Sequence, residues 1–404
     1  MADHSVIVAG GGPVGAVTAL LLAQAGVPVT LVEKEPGVVI DYRASTFHPP
    51  TLDLLEESGI TAALVRMGLI ARTMQTRDRQ TGKVAEFDLS ALRNDTGHPY
   101  RLQCEQFKLV DHAYGELRMA DNATLLFETE IVGVGQDADG VRALIRRDGA
   151  EDELSGRYLI AADGGRSVVR KALDIGFEGR TYPEQFLVAG TPFDFKAHMP
   201  DICSVNYTAD PVEWYLLLQI PDMWRVVTPV DPSVQPEDAI SDAHLQKTLK
   251  NLLPRDEDYE IVVKAIYRVH QRVADRYRVG RILLAGDAAH LNNPLGGMGL
   301  NGGLHDAISL TRRLSRVLKG EAEETVLDDY ERERRPEAIN AINTITDRNK
   351  RLLEERDPAV RRERLDRIRR IAADPERAYD YMLEASMITS LRRSGLLGGT
   401  RTAA

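Results

Sequence analysis

The sequence predicts an α/β chain: a glycine-turned β-α-β unit, interrupted twice by sheet-rich insertions and closed by a helical tail. Three observations carry this. The apolar run Val6-Ile7-Val8-Ala9 leads into Gly10-Gly11-Gly12-Pro13-Val14-Gly15 and then into an alanine- and leucine-rich helical pattern. Two later apolar runs, Tyr158–Ala162 and Arg281–Ala285, end in Asp163-Gly164 and Gly286-Asp287. Residues 70–102 and 186–230 lose the helical period, alternate and carry turn signals, whereas the chain from Glu321 onward is helical and heavily charged.

The first unit fixes the chemistry of the start. Gly10-x-Gly12-x-x-Gly15 stands between a strand and a helix, the context the dinucleotide fingerprint requires. Gly10 lets the chain turn sharply, Gly12 lets a pyrophosphate approach the backbone, and Gly15 lets the helix lie close on the strand. Pro13 falls in the first helical turn, where its missing N–H costs little. The free N–H groups there, Val14 among them, and the helix dipole favour phosphates. Glu33, followed by Lys34, ends the second strand Val29–Val32, at the offset where an acid takes ribose hydroxyls. The competing reading is a glycine turn packed for its own sake.

The remaining elements follow in order. Gly26 stops the first helix. The loop Glu35–Pro50 holds Arg43 and His48, and Thr51–Gly59 reads as a helix. Strands are expected in 70–102, a helix over Glu105–Met119, and strands over Leu125–Val134 and Val141–Ile145. Val212–Ile220 and Trp224–Val230 read as antiparallel strands around a Pro221-Asp222 turn; a helix over Pro236–Leu253 and a strand over Ile261–Val269 follow. In the tail, Ile339, Ile342 and Ile345 are expected on one side of a helix, and the more apolar Tyr379–Leu397 to close one side of a pocket.

Composition excludes several classes. A net charge of −10 argues against nucleic-acid binding. No apolar run reaches the ~18 residues of a membrane span. Cys104 and Cys203 lack metal or redox spacing and fit a reducing cytoplasm, and Met1–Ser5 has no basic leader. No metal site is expected.

The two later motifs add acids at strand ends. Asp163 begins Asp163-Gly164-Gly165-Arg166-Ser167-Val168-Val169-Arg170, in which Ser167 can cap the next helix. Asp287 begins a stretch through His290 to Pro294-Leu295-Gly296-Gly297-Met298-Gly299-Leu300-Asn301. A carboxylate at a buried strand end can accept hydrogen bonds from a polyol. The glycine-dense turn then lets N–H groups approach a flat ring, and the helix from about Asn301 aims its positive end at it.

Together the three motifs resemble the class A flavoprotein monooxygenases, the para-hydroxybenzoate hydroxylase-like family. That family carries GxGxxG, then DGxxSxxR, then GDAAH…PxxGxGxN. Gly10, Gly12, Gly15 and Glu33 match the first; Asp163, Gly164, Ser167 and Arg170 the second; Gly286, Asp287, Pro294, Gly297, Gly299 and Asn301 the third. The resemblance covers roughly residues 5–330 and implies a Rossmann-type FAD-binding domain (1–70, 101–180 and 270–325), a mixed or antiparallel sheet-rich substrate domain (71–100 and 181–269) and a C-terminal helical segment (326–404).

The implied cofactor is FAD with a mobile ring, with NADH or NADPH as donor. In that family O2 adds to the flavin to give a C4a-hydroperoxide, and the resemblance implies hydroxylation of an electron-rich aromatic or heteroaromatic ring by that route here. Asp287 is implied as a ribityl ligand, with Leu300 and Asn301 at the start of the ring-facing helix. Arg43 is implied near the flavin, Pro294 as a backbone carbonyl near substrate, and Gln106 (Gln103 competing) at the ribityl and phosphate region. His48, Tyr207 and Tyr215 are candidates for a base or relay and Arg225 for substrate charge, all four also readable as ordinary core or surface residues. His290 reads as structural, and Trp214 and Trp224 as pocket or sheet-core aromatics. The expected partners are a small aromatic substrate and O2, with the chain a monomer or homodimer. Four rival readings predict other features. A halogenase would carry a WxWxIP motif, and a nicotinamide dehydrogenase would not need the later motifs. A reductase of the same fold would not need O2. A non-enzymatic nucleotide-binding protein would not keep the glycine loop.

Overall fold

The computed structural model describes residues 5–398. The reading of the leader at 1–4 and the last residues of the tail at 399–404 lie outside them. A six-stranded sheet is built on Val6–Ala9, with Val29–Val32 and Tyr158–Ala161 parallel to it on either side. Ala123–Leu126 and Ile282–Leu284 extend it, and Arg278–Val279 closes the latter edge as a short hairpin. Strands buried on both faces need continuous apolar runs, which these segments have. The helix Pro13–Gln24 starts at Pro13, and left-handed Gly26 (φ 79°) follows its end.

An eight-stranded sheet stands beside it. Its order runs His290–Leu291, Val263–Ala274, Phe177–Thr191, Met223–Val230, Tyr215–Ile220, Val205–Ala209, Thr73–Asp78, Gly82–Asp88. Its first strand comes from the Asp287 segment, so one piece of chain belongs to both the nucleotide turn and this sheet. Strand alternation sorts its side chains. One face carries Phe186, Val188, Leu216, Leu218, Val227 and Val269, and packs on Leu295 and the tail helices. The other carries Leu187, Ala189, Tyr215, Leu217, Trp224 and Val226, and packs under the helix Asp242–Leu252. A small sheet of Thr46–Phe47, Arg101–Gln103 and Leu69–Ala71 joins the two bodies.

Four expectations are corrected. The strand expected over Leu125–Val134 is two, Ala123–Leu126 and Glu130–Gln136, in different sheets and separated at left-handed Glu128 (φ 52°). The helix expected over Pro236–Leu253 is two, Pro236–Ala239 and Asp242–Leu252, because Ser241 accepts from His244 N–H and caps a new start. The helix read over Thr51–Gly59 is Pro49–Leu54, and left-handed Gly59 instead opens a second helix, Ile60–Met67. Ile339 does not share a face with Ile342 and Ile345. A π-turn over Ala338–Ile342 breaks the α register, leaving Ile339 exposed while the other two are buried. Among the described residues no helix is long and apolar enough to cross a membrane.

Candidate active site

The three glycine motifs leave one edge of the six-stranded sheet and touch one another. Gly10 N–H donates to Val32 O at 2.8 Å, Ala162 N–H to Ala9 O at 2.8 Å, and Ala285 N–H to Ala161 O at 2.9 Å. This is the carboxyl edge, where ligands of such sheets bind. Gly10 is left-handed (φ 94°), and a Cβ there would lie 2.5 Å from Ala162 O. A Cβ on Gly15 would lie 1.8 Å from Gly10 O. Both are packing glycines. Gly12 is different, because a Cβ there would meet nothing within 4 Å. Its bare backbone keeps space open above the helix start, and that start has no side-chain cap. Val14 in turn packs on the third motif, where a Cβ on Gly286 would lie 2.8 Å from Val14 Cγ2.

The acids divide their oxygens. Glu33 Oε2 accepts from Gly11 N–H at 2.5 Å and Oε1 from Glu35 N–H at 2.9 Å, which fixes the carboxylate against the turn with lone pairs to spare. Lys34 points to solvent, 3.7 Å from Glu35. Asp163 Oδ2 accepts from Val168 N–H (2.8 Å) and Val169 N–H (3.2 Å), capping the helix Val168–Ala172, while Oδ1 is buried without a partner. Ser167 accepts from Arg170 N–H at 2.9 Å, the cap the sequence suggested. Asp287 is exposed and makes no hydrogen bond or ion pair with the described residues. Crowding by protein raises its pKa, opposed by His290 and Arg43. The carboxylate nevertheless reaches water in the open cleft. Open space over Gly12, two uncapped helix starts and spare oxygens on Glu33, Asp163 and Asp287 suit a dinucleotide such as FAD.

The loop before the helix Met298–Leu318 turns on left-handed Gly296 (φ 118°) and Gly297 (φ 70°). Pro294 O accepts from Gly297 N–H at 3.0 Å, closing the turn. Gly299 lies beside Asn292, and Leu300 packs on the main core. Asn301 is fully buried. Its Nδ2 donates to Thr46 O (2.8 Å) and Gly297 O (2.6 Å), while its Oδ1 accepts from His48 N–H (2.8 Å) and Thr51 Oγ1 (2.7 Å). With its proton given to Asn301, the Thr51 hydroxyl accepts from His305 Nε2–H at 2.8 Å. His48 Nε2–H donates to Gly296 O at 2.8 Å, leaving buried Nδ1 without a partner. Burial, reinforced by Arg101, pushes the His48 pKa down to about 3, so the ring is neutral. His48 is therefore brought to the loop, where it pins Gly296.

Behind the loop lies a buried clamp. Asp306 Oδ2 accepts from His290 Nε2 (2.7 Å) and Gly286 N–H (3.1 Å), and Oδ1 accepts from Arg334 Nε (2.8 Å). Burial pushes the Asp306 carboxyl up, but His290 and Arg334 outweigh it and hold it below the ordinary range. His290 is structural, as expected. Sequence reasoning missed Asp306 and Arg334; an acid inside an otherwise apolar helix face was the available signal.

In front of the loop the sheet presents other groups. Arg43 pairs with Asp41 at 2.6 Å, and that pairing raises its pKa. Its carbonyl accepts from buried Arg225 at 3.2 Å, and Arg225 also donates to Ser45 Oγ. Tyr267 stands by both arginines, its pKa pushed up to about 12 by burial. Arg101 is buried against the Tyr207 hydroxyl at 3.1 Å. Ser45, Tyr267 and Arg101 were also missed. Gln106 opens the helix Gln106–Met119 with its amide group unbonded, whereas Gln103 is buried, its Oε1 accepting from Thr46 at 3.0 Å. Tyr215 is not brought to this site. It lies with Trp224 on the opposite face, under the helix Asp242–Leu252. Trp214 is on the loop side, edge-to-face with Phe186 at 5.2 Å.

Comparison with known proteins accords with this geometry. Residues 3–344 match the family described as FAD binding domain. The para-nitrophenol 4-monooxygenase of Pseudomonas sp. (strain WBC-3) is 35% identical over 88% of this chain and 89% of its own length. The 6-hydroxy-3-succinoylpyridine 3-monooxygenase of Pseudomonas putida (strain DSM 28022 / S16) is 34% identical over 93% of this chain and 96% of its own. The crystal structure of p-nitrophenol 4-monooxygenase from Pseudomonas putida DLL-E4 superposes with a TM-score of 0.91 at 31% identity, covering 96% of this chain and 98% of that one. With three motifs converging on one sheet edge and this likeness running through the tail helices, the chain belongs to the FAD-dependent aromatic monooxygenases.

Proposed function

We propose that this enzyme hydroxylates a single-ring phenol or hydroxypyridine, with NADH or NADPH as electron donor and O2 as oxidant. One observation carries the substrate size. The two relatives described above are named for single-ring substrates, and the likeness to them spans nearly the full length of all three chains. FAD, when bound, supplies the oxygen chemistry. The chain supplies the rest.

In this reading the helix start at Gly12, Pro13, Val14 and Gly15 receives the pyrophosphate, and Glu33 the adenosine ribose, with Lys34 at the rim. Asp287 accepts from the ribityl hydroxyls, Asp163 offers its unpartnered Oδ1, and Gln106 lends its free amide. Gly286 and Gly297 shape the turns; Gly299, Leu300 and Asn301 set the helix start that stabilises negative charge on the ring. Arg43 guides the ring and the nicotinamide. The Pro294 carbonyl faces substrate with its second lone pair. His48, neutral and hydrogen-bonded to Gly296, holds that loop in place rather than serving as a base. Tyr215 has no part in the proposal. Both cysteines are free, which fits the cytoplasm, where NADH and NADPH are made.

The test is direct. Purified protein is expected to be yellow and to release FAD on denaturation. p-Nitrophenol or a hydroxypyridine should accelerate NADH or NADPH oxidation, and isotopically labelled O2 should appear in the product. Acceleration without label in product would overturn hydroxylation, and protein that takes up no FAD would overturn the whole reading.

A further inference from the structure

Arg101 is buried on unusual terms. It is 2% exposed. Its guanidinium donates to the Tyr207 hydroxyl at 3.1 Å and, at a long 3.4 Å, to Ala385 O, while Nε is buried with no partner. No carboxylate of the described residues stands within ion-pair distance of it. Arg225 shares these terms, with only Ser45 Oγ and Arg43 O as partners, but three other buried arginines are better provided for. Arg77 has Asp201 at 2.9 Å and Arg334 has Asp306 at 2.8 Å. Arg170 has two carbonyls, at 2.9 and 2.8 Å, and the face of Phe177. Holding a guanidinium away from water with so little compensation is costly. A ligand that brings an anion would recover it.

The position of Arg101 says which ligand. Its strand pairs with Thr46–Phe47, next to His48 and therefore next to the Gly296–Gly297 turn. Tyr207 belongs to the loop-side face of the eight-stranded sheet, and Ala385 to the tail helix Pro375–Ala385. Three walls of one aromatic-rich cluster, with Phe186, Trp214, Tyr267 and Leu295 in it, thus meet at Arg101, a cation without a counter-charge. The nucleotide edge of the other sheet, with Gly12, Glu33 and Asp287, is built separately and already offers its own helix start to a negative ring.

We propose that Arg101 binds the negative charge of the aromatic substrate, so that the enzyme takes its substrate as an aromatic anion, a phenolate or carboxylate oxygen facing the guanidinium. This rests on the reading of the enzyme as an aromatic hydroxylase. It adds the ionisation state and the residue that selects it.

The experiment uses the FAD-loaded enzyme and two matched pairs, p-nitrophenol with p-nitroanisole and p-hydroxybenzoate with p-hydroxybenzamide, at a pH where the first member is ionised. Binding is read from perturbation of the flavin absorbance and turnover from NADH and NADPH oxidation. The wild type should prefer the anion of at least one pair. Arg101→Gln should weaken that anion roughly 10- to 100-fold, leave its neutral partner within about threefold, and leave FAD content unchanged. Arg101→Lys, which keeps the charge but not the fork, should fall between and serves if the glutamine variant retains no FAD. No anion preference in the wild type, an equal loss for both members, or a loss confined to FAD affinity would overturn the assignment. The hydroxylase reading fails separately: anion-selective binding that depends on Arg101, with no oxygen incorporated, would reject it and leave Arg101 standing.

Discussion

Behind the Pro294–Gly299 loop and in front of it, the chain buries arginines on opposite terms. Arg334, behind, is locked to Asp306, which in turn holds His290 and the Gly286 N–H. Arg225 and Arg101, in front, face a hydroxyl and a backbone carbonyl each and no carboxylate, and each keeps a buried Nε without a partner. The paired side is matched in charge, although Arg334 also keeps one buried nitrogen, Nη1, without a partner. The unpaired side is arranged for something the chain does not itself provide. A buried charge is therefore informative less by its presence than by what it lacks.

The strongest way to test that contrast is to break the paired side. Arg334→Met leaves Asp306 buried with one cation gone, and should cost about 3–5 kcal/mol in thermal or denaturant unfolding, with loss of FAD. A variant of unchanged stability would dissolve the distinction. The second test uses acid. The folded His48 pKa of about 3 lies below the ordinary 6.5, so the unfolded chain takes the proton first. Its contribution is full above pH 6.5 and is lost as pH falls from there toward 3. Acid unfolding of His48→Gln should be shallower than wild type in that window, and equal slopes would contradict a buried neutral ring.

The third test is on the unpaired side. Arg225→Met should leave unfolding stability within about 1 kcal/mol of wild type, or raise it, because an uncompensated charge has been removed. Substrate-stimulated NADH or NADPH oxidation should nevertheless fall at least about tenfold. A loss of several kcal/mol would make Arg225 another clamp. The fourth concerns the glycines. Gly12→Ala should keep the stability of the FAD-free protein, since its Cβ meets nothing, yet weaken FAD binding in a fluorescence titration. Gly15→Ala should fail to fold well, because its Cβ overlaps Gly10 O. The smallest effect is expected from Tyr215→Phe, within about twofold of wild type in kcat and KM, given its place under the Asp242–Leu252 helix.

The cradle was legible in the sequence because its requirements are local. Gly10, Gly12, Gly15 and Asp287 are needed by a turn, a close approach or a strand end, and each shows as spacing along the chain. The clamp and the charge-bearing front were not legible. Asp306 and Arg334 are 28 residues apart, Arg225 and Ser45 are 180, and Arg101 and Ala385 are 284. Such pairs exist only once the sheets and tail have packed. Alternation named the strand with Tyr215 but not the side it faces; one residue away, Trp214 points to the loop and Tyr215 to the opposite helix. The Ile339 expectation failed for a related reason, since a π-turn is invisible to a fixed helical period.

The strand His290–Leu291 pairs with Val273 and Arg272 at the edge of the eight-stranded sheet, a few residues after Asp287 and a few before Pro294. This has a consequence for building chimaeras among relatives. Residues 177–274 look like an exchangeable cassette, but the sheet also takes Thr73–Asp78 and Gly82–Asp88 at one edge, and its other edge strand is supplied by the cofactor turn. A graft that transplants residues 177–274 alone would join a foreign edge to a native strand. Transplants that carry residues 286–301 along with it keep that seam intact, and recombination points for altering ring preference belong beyond Asn301 rather than before Gly286.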